Sequence, residues 1–199
     1  CIRDSYSIDY ISDRFLKKVN VENGIIQLPG GNYRSIVVPA SQNMPLKTLK
    51  KLLELRHMGA SIVFLERPKT VPGFFDYQKR EEELKAFAEE KINKVYSLKE
   101  MEIPLKKAGV IKEELSKEGL KFIRREHLGE KIYYLVNHTQ NKIEGFIPLS
   151  IQAKEVLILD PLTGKRGKAV TRQLGDITKV KLSLSSGASV FLKTFDRLS

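Results

Sequence analysis

The sequence contains no tryptophan, and its single cysteine, Cys1, is the first residue. One thiol cannot form an intrachain disulfide and cannot build a zinc site from cysteines. Long apolar runs are missing as well, because no stretch approaches the roughly 20 apolar residues that a membrane-spanning helix needs. We therefore expect no membrane insertion, and the cysteine content leaves the redox compartment open.

Histidine is also scarce in this chain. The three histidines, His57, His127 and His138, lie far apart, and none stands four residues from another histidine or from a carboxylate. An i, i+4 pair is the spacing that brings two metal ligands onto one helix face, so we expect no metal site and no cofactor. We predict that His57 lies near a helix C-terminus, where the helix dipole favours a cation, and that the other two lie beside turns.

Basic residues outnumber acidic ones, with 35 Lys and Arg against 24 Asp and Glu and a net charge of +11. A strongly basic chain raises the question of nucleic-acid binding. The excess is spread over several regions, and the basic residues of the most basic one, 161–199, alternate with apolar, strand-like residues as on a solvated sheet face. No aromatic platform for base stacking accompanies them, so we expect no nucleic-acid partner.

The pattern of residues 34–68 indicates a βαβ unit. Its two apolar runs, RSIVVPA and ASIVFLERP, are typical of strands covered on both faces in a parallel sheet. The helix predicted between them has a buried stripe formed by Leu46, Leu49, Leu52 and Leu53. Pro45 suits the first turn of this helix, and Gly59 suits a left-handed cap at its end. A strand, helix and parallel strand in this order form a right-handed crossover.

Three further segments of the first half have helical or strand-like patterns. Residues 6–19 show the i, i+3, i+4 spacing of an amphipathic helix, with a stripe formed by Ile8, Ile11, Phe15 and Val19. Residues 25–28 predict a short strand that ends at the run 29–32, Pro-Gly-Gly-Asn. The charged segment 74–120 predicts a helix that buries Leu84, Phe87, Ala88 and Ile92. A second helix follows, opened by a capping box of Ser97 and Glu100.

After about residue 120 the apolar period changes to two. Six short runs alternate in this way: KFIRRE, KIYYLVNHT, KIEGFIPLS, KEVLILD, TKVKLSLS and ASVFLKTF. Turn signals separate them, and such spacing predicts an antiparallel β-sandwich. We place the domain boundary near residue 118, with an α/β domain over 1–118 and the sandwich over 119–199. The chain starts without an initiator methionine, and we interpret it as part of a longer protein.

Few side chains form patterns that carry chemistry. Asp9 and Asp13 would share one helix face, whereas acid–base hydrolysis by paired carboxyl groups needs the two groups to face each other across the substrate. Ser41 follows a predicted strand, but no G-x-S-x-G turn surrounds it, so we predict that its hydroxyl stabilises a turn. The Gly30-Gly31 pair lacks the following Lys-Ser/Thr of a phosphate-binding loop, and we predict a chain reversal there. We expect no catalytic residue in this chain.

Aromatic residues are the other candidates, because sugar-binding surfaces stack rings on the apolar C–H face of a pyranose. Tyr133 and Tyr134 are consecutive in a predicted strand, so their side chains point to opposite faces. We predict that one of them lies in the core and that the other is exposed and available for sugar contact.

Four segments occur in the order found after the catalytic barrel of glycoside hydrolase family 106: 9–16 (DYISDRFL), 24–73, 120–138 (LKFIRREHLGEKIYYLVNH) and 155–167 (EVLILDPLTGKRG). The chain resembles that region over most of its length. The resemblance implies a partial class I glutamine-amidotransferase-like, flavodoxin-like α/β unit followed by a β-sandwich. Where family members often carry His-Arg, this chain has Arg124-Arg125, so no role of that histidine is carried over.

The resemblance also implies a context. The catalytic acids and metal ligands of such enzymes lie in an upstream barrel, which would be the partner of this chain within one polypeptide, and Asp4, Asp9 and Asp13 would contact it. The parent enzyme would remove L-rhamnose from plant polysaccharide in the bacterial periplasm or outside the cell. We expect a non-catalytic accessory role. The alternatives are a carbohydrate-binding or protein-interaction module that tethers polysaccharide, and a stand-alone enzyme of amidotransferase or esterase type.

Overall fold

The structure is a computed structural model, and it describes residues 5–92, 94–127 and 129–196. Cys1 and Asp4 therefore lie outside the described residues. The chain forms two compact units. We call residues 10–110 the N-terminal unit, and residues 111–196 together with 5–9 the C-terminal unit. The units divide after Val110, and the domain boundary near residue 118 stays a prediction.

Within its described residues, the N-terminal unit contains two small sheets and four α-helices. The strands are β1 (Asn20–Glu22), β2 (Ile25–Leu28), β3 (Gly31–Tyr33), β4 (Ser35–Val38) and β5 (Ser61–Phe64). The helices are α1 (Asp13–Leu16), α2 (Leu46–His57), α3 (Tyr77–Lys91) and α4 (Glu102–Lys107). Strands β1, β2 and β3 form an antiparallel sheet in that order, and β4 pairs with β5 in parallel.

The predicted βαβ unit is confirmed, because α2 connects the parallel strands β4 and β5. Its apolar stripe is buried at Leu49, Leu52 and Leu53, while Leu46 is half-buried and Leu55 is buried in addition. Gly59 has a φ of +97°, a left-handed conformation that a side chain would disfavour and that ends α2 as predicted. The parallel sheet contains two strands, so most strand pairing in the described chain is antiparallel.

Helix α3 follows the predicted pattern. Leu84 and Ala88 are buried on it, Ile92 is buried directly after it, and Phe87 is half-buried. The predicted capping box also forms: the Ser97 amide donates to a Glu100 carboxylate oxygen at 3.0 Å, and the Glu100 amide donates to the Ser97 hydroxyl at 3.3 Å. The predicted start of the second helix at Ser97 is wrong, because residues 98–101 form a turn and α4 begins at Glu102.

The long helix predicted over residues 6–19 is wrong. The helix α1 has four residues, and Ile8 and Phe15 of the expected stripe are exposed. The chain passes from the C-terminal unit to the N-terminal unit between Asp9 and Tyr10. The apolar residues of this segment are therefore not all buried in the same core. Their helical spacing does not correspond to a helix.

The turn predicted over residues 29–32 is shorter than expected. Strand β3 begins at Gly31, and Leu28 pairs with Gly31 across a reversal at Pro29-Gly30. The reversal itself agrees with the prediction for the Gly30-Gly31 pair, whereas Gly31 and Asn32 belong to β3 and not to the turn.

The C-terminal unit is built of antiparallel strands. They are β6 (Leu120–His127), β7 (Glu130–Asn137), β8 (Ile143–Leu149), β9 (Glu155–Leu159), β10 (Arg166–Lys168), β11 (Thr171–Leu174), β12 (Ile177–Leu184) and β13 (Ser189–Phe195). All six predicted runs form strands. The sequence pattern missed β10 and β11, because these edge strands are short and almost wholly exposed and so carry no apolar alternation.

Two antiparallel sheets share the core of this unit. Five strands pair in the order β10-β9-β13-β7-β6, and three pair in the order β11-β12-β8. One apolar cluster contains residues of both, such as Leu135 and Leu192 of the larger sheet and Leu149 and Val180 of the smaller one. Among the described helices, none is long and apolar enough to cross a membrane.

Replacing Leu84 with alanine should destabilise the N-terminal unit by about 2 to 5 kcal/mol, because it leaves a cavity at a fully buried position. The matched control is Leu98→Ala, where the leucine is 65% exposed and little contact is lost. The free energy of unfolding of both variants is measured by urea titration, with circular dichroism as the signal. Equal stabilities of the two variants would contradict the assigned core.

Candidate functional site

The C-terminal unit contains a fully buried carboxylate, that of Glu113. This residue has 0% exposure and lies two residues before a short 3₁₀ turn, Leu115–Glu118. Its amide donates a hydrogen bond to the Ser5 carbonyl at 2.8 Å. A carboxylate without water must be satisfied by protein donors, since an unpaired buried charge costs several kcal/mol.

Three protein donors surround the Glu113 carboxylate. Oxygen Oε1 accepts hydrogen bonds from Arg124 Nη1 at 2.6 Å and from the Tyr133 hydroxyl at 2.9 Å. Oxygen Oε2 accepts a hydrogen bond from the Ser150 amide at 2.9 Å. Arg124 lies on β6, Tyr133 lies on β7, and Ser150 directly follows β8, so one side chain joins the larger sheet to the smaller one.

The contact with Glu113 also influences the pKa of the Tyr133 hydroxyl. Burial, followed by the negative charge of Glu113, raises the pKa of the Tyr133 hydroxyl well above its ordinary value. The hydroxyl therefore stays protonated and donates to the carboxylate. With both oxygens of Glu113 engaged by protein donors and no exposure to solvent, the arrangement stabilises the fold and gives no access to a substrate.

A hollow of about 520 Å³ lies in the same unit, and two acidic residues, Glu114 and Asp176, line it together with Ser150 and Gln152. The Glu114 carboxylate forms an ion pair with Lys117, and Asp176 is exposed in the turn between β11 and β12. In glycoside hydrolysis the general acid is usually held in an apolar environment that raises its pKa. Both carboxylates are accessible to water, so the hollow lacks this environment.

The two tyrosine candidates have different surroundings. Tyr133 is fully buried, so it cannot contact a sugar at the surface. Tyr134 is half-buried on the opposite face of β7, and its ring centroid lies 4.8 Å from that of Phe191. One core tyrosine and one more accessible tyrosine agree with the alternation of the strand, and sugar contact by Tyr134 stays a prediction.

The remaining candidates are not assembled into a site. Asp13 begins α1 whereas Asp9 precedes it, so the predicted common helix face does not exist. The Ser41 hydroxyl donates to the Asn43 carbonyl at 2.9 Å, which is the turn contact we predicted. His57 ends α2, His127 ends β6 and His138 follows β7, and all three are exposed. No group of three or more metal-ligating side chains occurs among the residues that the structure describes.

Sequence reasoning missed two features. One is Glu113, which sits in a charged segment without any signal of burial. The other is a loop of residues 72–76, Pro-Gly-Phe-Phe-Asp, in which Phe74 is 98% and Phe75 is 82% exposed. Two consecutive phenylalanines beside a Pro-Gly turn were the available signal, because turn residues lie at the surface. Phe74 lies at the start of the charged segment 74–120, and the first helix of that segment begins at Tyr77.

Comparison with known families decides the relationship. The model of the glycoside hydrolase 106 family, described as alpha-L-rhamnosidase, matches residues 2–173. The chain belongs to this family. The suspected resemblance is therefore confirmed, and the chain is a glycoside hydrolase-related protein. No curated protein matches it in a sequence search.

Among solved structures, a rhamnosidase from Novosphingobium sp. PP1Y is similar to this chain with a TM-score of 0.78 and 24% sequence identity. At this identity the similarity shows the fold. The match covers 96% of this chain and 20% of that rhamnosidase. The chain thus spans about a fifth of the length of the rhamnosidase that it matches.

Replacing Glu113 with alanine should destabilise the C-terminal unit by about 3 to 5 kcal/mol, because the largely buried Arg124 guanidinium loses its counter-charge. The neighbouring Glu114→Ala removes an exposed ion pair with Lys117 and should change the stability by less than about 1 kcal/mol. Chemical unfolding of both variants tests this difference. A similar, small effect of both substitutions would show that Glu113 does not hold the sheets together.

Proposed function

We propose that this chain is a non-catalytic accessory region of a glycoside hydrolase that acts on plant polysaccharide. The proposal rests mainly on Glu113. It is the buried carboxylate among the described residues, and three protein donors occupy it. A general acid or nucleophile needs access to the glycosidic bond, which this carboxylate lacks.

The partner in this proposal is a catalytic barrel within the same polypeptide. It is supported by the partial coverage of the rhamnosidase, since the match leaves most of that chain outside the shared region. The parent enzyme would then work in the periplasm or outside a bacterial cell, as the resemblance implies.

The finer fold assignment belongs to the same proposal. The β4-α2-β5 unit has the parallel pairing and crossover helix of an amidotransferase-like domain, reduced to two parallel strands. The two antiparallel sheets of the C-terminal unit share one apolar cluster, as the layers of a β-sandwich do. These units would serve as scaffolds, because a fold does not by itself carry an activity.

A binding module that tethers polysaccharide is the second candidate function. The observation that favours it is the pair of exposed rings, Phe74 and Phe75. A protein-interaction module would use the same apolar surface with a different ligand.

The accessory role predicts that this chain alone does not hydrolyse an aryl α-L-rhamnoside, whereas the complete encoded protein does. Release of the aryl alcohol, followed by absorbance at equal molar concentrations, measures both activities. Turnover by the isolated chain would overturn the proposal.

The acidic residues of the hollow provide a second test. Glu114→Gln and Asp176→Asn, made in the complete protein, should leave kcat within about twofold, because neither carboxylate takes part in bond cleavage. Loss of either acid of a glycosidase pair lowers the rate by orders of magnitude. A kcat reduced 100-fold or more, about 2.7 kcal/mol or more in barrier, by either substitution would place the active site in this hollow.

A further inference from the structure

The loop of residues 72–76, which we call the Phe loop, presents two aromatic side chains to solvent. Phe74 is 98% exposed and Phe75 is 82% exposed. Each phenylalanine offers a large apolar surface that water solvates poorly. A pair of such rings outside the core is uncommon enough to indicate a binding surface.

Arg80 of helix α3 holds the backbone of the Phe loop. Its guanidinium donates to three loop carbonyls: Nε to Phe75 at 2.7 Å, Nη1 to Pro72 at 3.1 Å and Nη2 to Gly73 at 2.9 Å. Three bonds from one planar group fix the relative positions of three consecutive parts of the loop. The contacts with Arg80 thus order the backbone of the loop, while both rings remain exposed to solvent.

A second network closes the ends of the loop. The hydroxyls of Thr70 and Tyr77 lie 2.7 Å apart, and the Tyr77 hydroxyl donates to Glu81 at 2.5 Å. Hydrogen bonds from Tyr77 and from Lys85 lower the pKa of Glu81 to about 2, so this acceptor is charged at neutral pH.

Asp76 adds backbone strain at the end of the loop. It has a φ of +45°, a left-handed conformation that costs a residue with a side chain about 1 kcal/mol or more. A loop that is held in a strained conformation by so many contacts is preorganised, and a preorganised loop loses little entropy when it binds.

We propose that the Phe loop is a stacking platform for a pyranose unit of a polysaccharide, which deepens the proposed accessory role and rests on it for the class of ligand. The electron-rich face of a phenyl ring attracts the C–H groups on the apolar face of a sugar. The exposed residues Asp76, Gln78 and Lys79 follow the rings in sequence and offer acceptors and donors for the hydroxyl groups of that sugar.

A small ligand fits this surface better than a protein or a lipid does. The two rings are followed directly by polar, exposed residues, whereas a stable protein interface buries about 800 Å² on each partner with an apolar centre. Two exposed phenyl rings followed by polar side chains offer the apolar and polar groups that a sugar ring needs for binding.

The test is affinity electrophoresis of the 199-residue chain in gels that contain rhamnose-bearing pectic polysaccharide, with polysaccharide-free gels as reference. We expect retardation of the unmodified chain, and a dissociation constant about tenfold higher, equivalent to about 1.4 kcal/mol, for Phe74→Ala and for Phe75→Ala. The matched control is Ile103→Ala, which removes a 67% exposed apolar side chain from α4 and should retain full retardation.

Arg80→Lys tests the role of Arg80 as a positioning residue. The substitution keeps the charge and both rings but removes the three-carbonyl contact, so we expect weaker retardation with an unchanged circular dichroism spectrum and unfolding midpoint of the chain. Unaltered retardation of this variant would show that preorganisation of the loop has no part in binding.

Three other results would overturn the stacking proposal. They are no retardation of the unmodified chain, equal retardation of the Phe74→Ala, Phe75→Ala and Ile103→Ala variants, and a ring-dependent self-association or binding to phosphatidylcholine vesicles in the absence of polysaccharide retardation. Each leaves the accessory role standing, because that role is tested separately by rhamnoside hydrolysis. Conversely, hydrolysis by the isolated chain would overturn the accessory role even if the Phe loop binds sugar.

Discussion

The C-terminal unit depends on one desolvated charge. Its two sheets share an apolar cluster, and the Glu113 carboxylate links them through Arg124, Tyr133 and the Ser150 amide. The buried Asn137 amide adds a second polar link, from β7 to the Leu184 carbonyl of β12. Hydrophobic contacts tolerate sliding, since many packings of similar volume have similar free energies. A buried carboxylate accepts donors in few directions, so its three bonds select one arrangement. The same contacts that satisfy the buried Glu113 carboxylate also leave it inaccessible to a substrate.

Local patterns in the sequence predicted those elements whose apolar residues are buried in a single core. Helix α2, with Leu49, Leu52 and Leu53 on one side, and the six long strands of the C-terminal unit were predicted for this reason. The segment 6–19 was not, because it contributes residues to both compact units and its helical spacing is coincidental. Strands β10 and β11 escaped notice because an exposed edge strand needs no apolar alternation.

The candidate sites show the limit of the same reasoning. From residue types and spacing, the sequence predicts no metal site, no nucleophile turn and no acid pair, and these expectations stay predictions. It could not indicate that Glu113, one of two adjacent glutamates, is buried, because that depends on donors that come from three different strands or strand ends. The exposure of Phe74 and Phe75 had one signal in the sequence, the Pro-Gly turn before them, and the structure shows its extent. Family membership adds what no local pattern contains, namely that the chain is related to alpha-L-rhamnosidases.

The strand order of the larger sheet has a consequence for biosynthesis. Strand β13 follows the other described strands in sequence, yet it lies between β9 and β7, at the centre of the five-stranded sheet. During translation, β7 and β9 leave the ribosome before the strand that joins them exists. Their edges therefore stay open until the last part of the unit is synthesised, and an unpaired edge is a template for association with other chains. This unit must then fold after its synthesis is nearly complete, and a ribosome that stalls before residue 189 leaves a nascent chain that cannot close its sheet.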